Sequence, residues 1–164
     1  MIMHVAVIAF IAIAAGTTVN AQELVTWRTS GDWAILIDPG TGNGCLMEKQ
    51  FDDGTLVQFG YVPNRNGGFF AAFNPDWTDI EDDATGTVKF EFPNIRFTGD
   101  VVGVAKDGRF GGYAFFDNPN VTKEFARNND MTVIGELGRK IEVNLKGTSN
   151  AIKAVKACQA GQPD

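Results

Sequence analysis

The sequence predicts an α+β domain, mainly an antiparallel β-sheet or sandwich with two short helices, and three observations carry that prediction. Apolar and polar residues alternate with a period of two in short blocks. Gly, Asn, Asp and Pro separate the blocks, with Asp52-Asp53-Gly54 as the strongest hairpin signal. The period changes to helical spacing in only two places, after Asn118-Pro119 and after Ser149.

Each element follows from its local pattern. Residues 33–37 form the first strand, and the glycine-rich turn 40–44 leads into a second strand over 45–51. The Asp52-Asp53-Gly54 turn returns the chain into 55–61, completing a three-stranded meander. Residues 69–73 are the next strand. In residues 87–92, Val88, Phe90 and Phe92 share one face while Lys89 and Glu91 share the other, which implies one wet and one buried side. Residues 95–98 and 101–105 continue the sheet around an expected bend at Gly99, and 110–116 add another strand. Asn118 as N-cap and Pro119 at the first helical position open a short helix that ends near Asn128-Asn129. Residues 131–136 and 140–145 form a hairpin across Leu137-Gly138-Arg139. Ser149 caps a final helix in which Ala151, Ile152, Val155 and Cys158 share one face, and residues 159–164 are expected to fray.

The first residues read as an export signal. Residues 5–15 are an unbroken apolar run, and the small and polar residues ending Val19-Asn20-Ala21 satisfy the cleavage rule, so residues 1–21 read as a signal peptide and 22–164 as one secreted α+β domain. The run breaks at Gly16-Thr17-Thr18, short of the roughly 20 apolar residues a membrane-spanning helix needs. No membrane insertion is expected after removal of the signal, and the expected location is periplasmic or secreted. In that compartment Cys45 and Cys158, the only two cysteines, read as one structural disulfide between an N-terminal strand and the C-terminal helix.

Composition excludes several chemistries. The only histidine, His4, lies in the signal segment, so the mature domain cannot run a Ser-His-Asp or Cys-His mechanism or build a histidine zinc site. A net charge of −6 works against nucleic acid and anionic lipid as partners. The Gly-Gly pairs at 67 and 111 lack the order of a phosphate-binding loop, so no nucleotide or other cofactor is expected. Asn120-Val121-Thr122 matches a glycosylation sequon, which has meaning only in a eukaryotic secretory host.

Two features remain as candidate sites. The acidic stretch 76–83 holds Asp79, Asp82 and Asp83, weak candidates for a hard cation such as calcium, although the order lacks the alternation and central glycine of an EF-hand loop. Thirteen phenylalanines and three tryptophans exceed what one small core obviously needs, which makes Phe70 and Trp77 candidate interaction residues, with Trp77 in a polar loop the better one for exposure.

A shift of about 44 residues overlays part of the chain on itself, placing Arg65 on Arg109, Gly67-Gly68 on Gly111-Gly112 and Asn74-Pro75 on Asn118-Pro119. The overlay defines repeat units 57–100 and 101–145. It is read either as a duplication or as similar hairpin chemistry arising twice.

The segment 131–145 followed by Leu145-Lys146-Gly147-Thr148-Ser149-Asn150-Ala151 and the terminal helix resembles the C-terminal signature of the invasion-associated locus B family. The wider chain, through Asp52-Asp53-Gly54-Thr55, Asn74-Pro75-Asp76-Trp77 and Ala157-Cys158-Gln159, resembles small exported alphaproteobacterial proteins of unknown function. The resemblance implies location and fold class and brings no catalytic residues. The chain departs from the locus B pattern in its cysteine positions and aromatic centre. The sequence therefore reads as a non-catalytic exported binding or cell-envelope interaction protein, its partner an envelope protein or a small ligand. The alternative is a carboxylate-based hydrolase or a calcium-dependent module using the acidic loop 76–83.

Overall fold

The computed structural model describes residues 23–106 and 108–163, and the expected signal peptide lies outside the described residues. The strands are β1 (Val25–Ser30), β2 (Trp33–Asp38), β3 (Gly44–Gln50), β4 (Leu56–Val62), β5 (Gly67–Phe73), β6 (Thr85–Phe92), β7 (Ile95–Lys106), β8 (Arg109–Phe116), β9 (Asp130–Gly135) and β10 (Lys140–Asn144). Two helices join them, α1 (Pro119–Arg127) and α2 (Thr148–Ala160). The ten strands make one sheet in the order β1-β2-β3-β4-β5-β8-β7-β6-β9-β10, and every adjacent pair is antiparallel.

Alternation sorts the side chains to two faces. Trp33, Ile35, Cys45, Met47, Val57, Phe59, Phe70 and Phe90 are buried on the inner face, where the helices add Phe125, Ile152 and Val155. Phe125 stacks on Phe59 with ring centroids 4.3 Å apart, and Phe70 meets Phe90 edge-on at 5.3 Å. Each such fully buried ring contributes on the order of 2–3 kcal/mol through area removed from water. A second cluster, Leu36, Leu46, Val62, Phe69 and Ala71, lies on the outer face, where Tyr113 stacks on Phe69 at 4.9 Å and the Arg65 guanidinium sits 3.7 Å above the Phe115 ring.

Helix α2 is fastened to the sheet at both ends. Cys158 is bridged to Cys45 on β3, and Gln159 accepts a hydrogen bond from the Cys45 N–H at 2.8 Å. At its start, the buried Thr148 hydroxyl lies 2.8 Å from the carbonyl oxygens of both Phe125 and Leu145, so one side chain ties α2 to α1 and to the strand before it. Trp33, fully buried, donates its indole N–H to the Lys146 carbonyl at 3.2 Å. A structural disulfide of this kind belongs to an oxidising compartment outside the cytoplasm.

Four local expectations are revised. β1 is an additional strand, exposed along most of its length and bulged between Thr26 and Arg28, so it carries little of the alternation that marks a half-buried strand. Gly99 does not break its strand, because β7 runs unbroken from Ile95 to Lys106 and Gly99 pairs with Val88. The last helix begins at Thr148, with Gly147 in the left-handed region at its N-cap, where the missing Cβ removes the strain. Residues 159 and 160 belong to that helix, since docking on β3 holds Gln159 in place.

The two expected repeat units share a local order of strand, turn, strand, Asn-Pro turn and strand, and Asn74 and Asn118 each accept a hydrogen bond from the backbone N–H two residues ahead. Their hairpins close differently: the last pair is Val62 with Gly67 between β4 and β5, but Lys106 with Arg109 between β7 and β8.

This packing makes two outcomes measurable. Cys45 and Cys158 are 113 residues apart, so replacing both by Ala is expected to lower unfolding stability by about 5 kcal/mol in the chain-entropy model. Urea denaturation measures the loss, and thiol titration of the denatured, unreduced wild type should find no free thiol. The phenols of Tyr61 and Tyr113 are held above their ordinary value of 10.0 by burial, which disfavours the phenolate; for Tyr113, Arg65 partly opposes this and Asp38 reinforces it. The unfolded chain therefore releases these protons first, and stability should fall as pH rises above about 10. Thermal unfolding of Tyr61→Phe and Tyr113→Phe should show a shallower alkaline loss than the wild type.

Candidate functional site

Sheet order dictates where a cavity forms. β5 and β6 are consecutive in the chain, yet β8 and β7 lie between them, so residues 74–84 must cross about 14 Å at ~4.8 Å per strand spacing. Asn74 pins the start of this crossing. Buried, it donates from Nδ2 to the Asp53 carbonyl and the Thr55 hydroxyl, both at 3.1 Å, while its backbone N–H donates to the Phe110 carbonyl at 2.9 Å. Its Oδ1 accepts from the Asp76 N–H at 2.9 Å, shaping the turn that presents Trp77. The far end is pinned to β7, where Asp83 N–H donates to the Gly103 carbonyl, Gly103 N–H donates to the Ala84 carbonyl, and Asp82 Oδ1 accepts from Ala105 N–H at 2.9 Å.

Beneath this roof the inner face is built from small residues. Ala72 pairs with Gly112, and Gly112 with Gly103, giving a row across three strands with almost no side chain. Ala114 and Gly135 continue the same surface. The crossing loop packs directly on Gly103, where a Cβ would collide with the Glu81 carbonyl oxygen. Small side chains below and a fixed roof above leave a cavity of about 390 Å³. Phe70, Val88, Phe90, Val101 and Val133 form apolar walls, and Trp77 and Ile80 of the crossing loop line it as well.

The mouth is polar. Arg139, in the β9–β10 turn, forms an ion pair with Asp79 of the crossing loop and lies over the Trp77 ring, 5.4 Å from its centroid. Glu136 accepts from the Thr87 N–H at 3.2 Å and is exposed, as is Glu81. Leu137, 87% exposed, stands at the tip of the same turn.

Phe70, Trp77 and Asp79 thus meet at one cavity. Phe70 is buried in its wall, and Trp77 is partly buried, packed against the core. Asp82 Oδ1 and the Asp83 backbone N–H are each bonded to β7. Among the described residues no three His, Cys, Asp or Glu side chains gather as a metal site. Sequence reasoning missed Arg139 and the small residues of β7 and β8. Gly99, Gly103, Gly111 and Gly112 in two neighbouring strands were the available signal, because glycine inside a strand marks a close approach or an unfilled face.

The sequence matches no protein-family model. It matches no curated protein. Among solved structures, invasion associated protein b from Bartonella henselae is similar over 80% of this chain and 96% of its own length, with a TM-score of 0.59 and 14% sequence identity. The two proteins share a fold. The likeness extends well beyond the C-terminal hairpin and helix that carry the sequence resemblance, and at this identity it speaks for the fold alone. No helix among the described residues is long and apolar enough to cross a membrane.

Because the Asn74 side chain supplies three of the bonds that place the roof, Asn74→Ala is expected to lower stability by about 1–3 kcal/mol, the cost of leaving buried partners unpaired. Urea unfolding of the variant measures it, and a change below a few tenths would show that the roof is held by other contacts.

Proposed function

We propose that this protein is an exported, non-catalytic binding protein, working in a bacterial periplasm or beyond, that holds a small apolar or amphiphilic molecule in the cavity beneath Trp77. The observation that carries the reading is the cavity itself: about 390 Å³, walled by Phe70, Val88, Phe90 and Val133 and fixed from above by a hydrogen-bonded loop. Concave, mostly apolar sites of roughly 300–1,000 Å³ with a few polar groups at one end are the usual form of small-ligand sites. A small ligand is favoured over an envelope protein docking on Trp77, because that ring lines the cavity and packs on the core. The carboxylates at the mouth favour neither hydrolysis nor calcium binding. Asp79 is paired with Arg139, Glu136 is bonded to Thr87 N–H and Asp82 to Ala105 N–H. The invasion role in the name of the Bartonella protein is not carried over.

The neutral fluorophore N-phenyl-1-naphthylamine tests the reading, since its emission rises in an apolar site. A Cβ at Gly135 would meet nothing nearer than the Arg139 carbonyl at 3.9 Å, an ordinary contact, so Gly135→Leu adds side-chain volume at the cavity wall. Saturable binding by the wild type and its loss in a Gly135→Leu variant of undiminished thermal stability is the expected result. Equal binding by both would place the probe elsewhere and remove the proposal.

A further inference from the structure

We infer that the molecule held in this cavity is a cationic amphiphile, its apolar chain inside and its positive head at the mouth; the inference rests on the binding reading above and adds the charge of the ligand. The walls recognise only apolar surface, so selectivity must come from the rim. There the cavity is lined by three carboxylates, Asp79, Glu81 and Glu136, against one guanidinium, Arg139. That guanidinium is already engaged, paired with Asp79 and lying over Trp77. An anionic head would have to break that pair and approach the two exposed glutamates. A cationic head gains from both glutamates and leaves the pair intact.

The rim also shows that it accommodates a cation. Arg139 sits over an aromatic face with a carboxylate alongside, the arrangement by which proteins recognise ammonium groups, and its side chain is itself 37% exposed. Asp82 and Asp83, exposed on the same loop, add to the negative field around the opening.

Three ligands with one octyl chain and different heads test the inference: octyltrimethylammonium and octyl sulfate below their micellar concentrations, and 1-octanol below its solubility limit. Displacement of N-phenyl-1-naphthylamine from the wild-type protein gives their affinities. The ammonium should bind about three- to tenfold more tightly than the alcohol, and the sulfate more weakly than the alcohol. The Glu81→Gln, Glu136→Gln double variant should lose most of the ammonium preference and keep the alcohol affinity, since the amide oxygen introduced by Glu136→Gln can still accept from the Thr87 N–H. Raising salt should erode the ammonium preference in the wild type, a second readout that does not depend on the variant folding. Equal affinities for all three heads, or tightest binding of the sulfate, would overturn the cationic ligand while leaving the cavity reading intact. Failure of the fluorophore and all three ligands to bind would overturn the cavity reading itself.

Discussion

A ten-stranded sheet has a wide apolar inner face that must be kept from water, and the cover over its first strands is helix α2. That helix contributes Ala151, Ile152, Val155 and Cys158 to the core but has only thirteen residues, too few for a helix to be stable alone in water. Its position depends on being tied down: by Cys158 to Cys45 and by Gln159 to the Cys45 N–H at one end, by Thr148 to α1 at the other. With α2 in place, Trp33 is fully enclosed and the Phe59–Phe125 stack closes the middle of the core. Without it, β2 and β3 would present their apolar faces to solvent.

The other half of the inner face is covered by different means. No long helix among the described residues lies over β8, β7 and β6; instead the connection from β5 to β6 crosses above them because the strand order requires it. A crossing segment carries backbone polar groups that need partners, and Asn74, Asp82, Asp83 and Ala84 connect them to the β3–β4 hairpin and to β7. The same demand for closeness selects glycine at position 103. Elsewhere under the roof small residues are not matched by large ones from above, and the mismatch is the cavity. A core usually fills such space, since an unfilled volume costs stability in proportion to its size. Its retention here, next to a polar mouth with a tryptophan and an ion pair, is the physical ground for reading it as a binding site.

Much of the fold was legible because alternation is a local signal. Val88, Phe90 and Phe92 against Lys89 and Glu91 identify both a strand and its buried side without reference to any partner. The Asn118-Pro119 helix start was legible for the same reason, its cap being made by Asn118 on the N–H of Asn120. β1 was not legible, since an exposed, bulged edge strand has no buried face to write into the sequence. Gly99 misled because a strand glycine can mark a bend or an empty face, and only its neighbours distinguish the two. Of the site, Trp77 and Phe70 stood out as surplus aromatics, whereas Arg139, some sixty residues further on, had nothing local to connect it with Asp79.

The sequence alone determined the class of fold, the residues that face inward on most strands, the pairing of the only two cysteines and the absence of histidine chemistry from the domain after residue 21. Those depend on periodicity, composition and compartment, which are properties of short windows or of the whole count. Only the tertiary structure decided that β8 and β7 sit between β5 and β6, and hence that residues 74–84 become a roof. It also decided that Phe70, Trp77, Asp79 and Arg139 converge, because strand order is a choice among many pairings compatible with the same alternation. The cavity is a consequence of that choice: Ala72, Gly103, Gly112 and Ala114 are ordinary small residues along the chain and leave a hollow only when placed side by side.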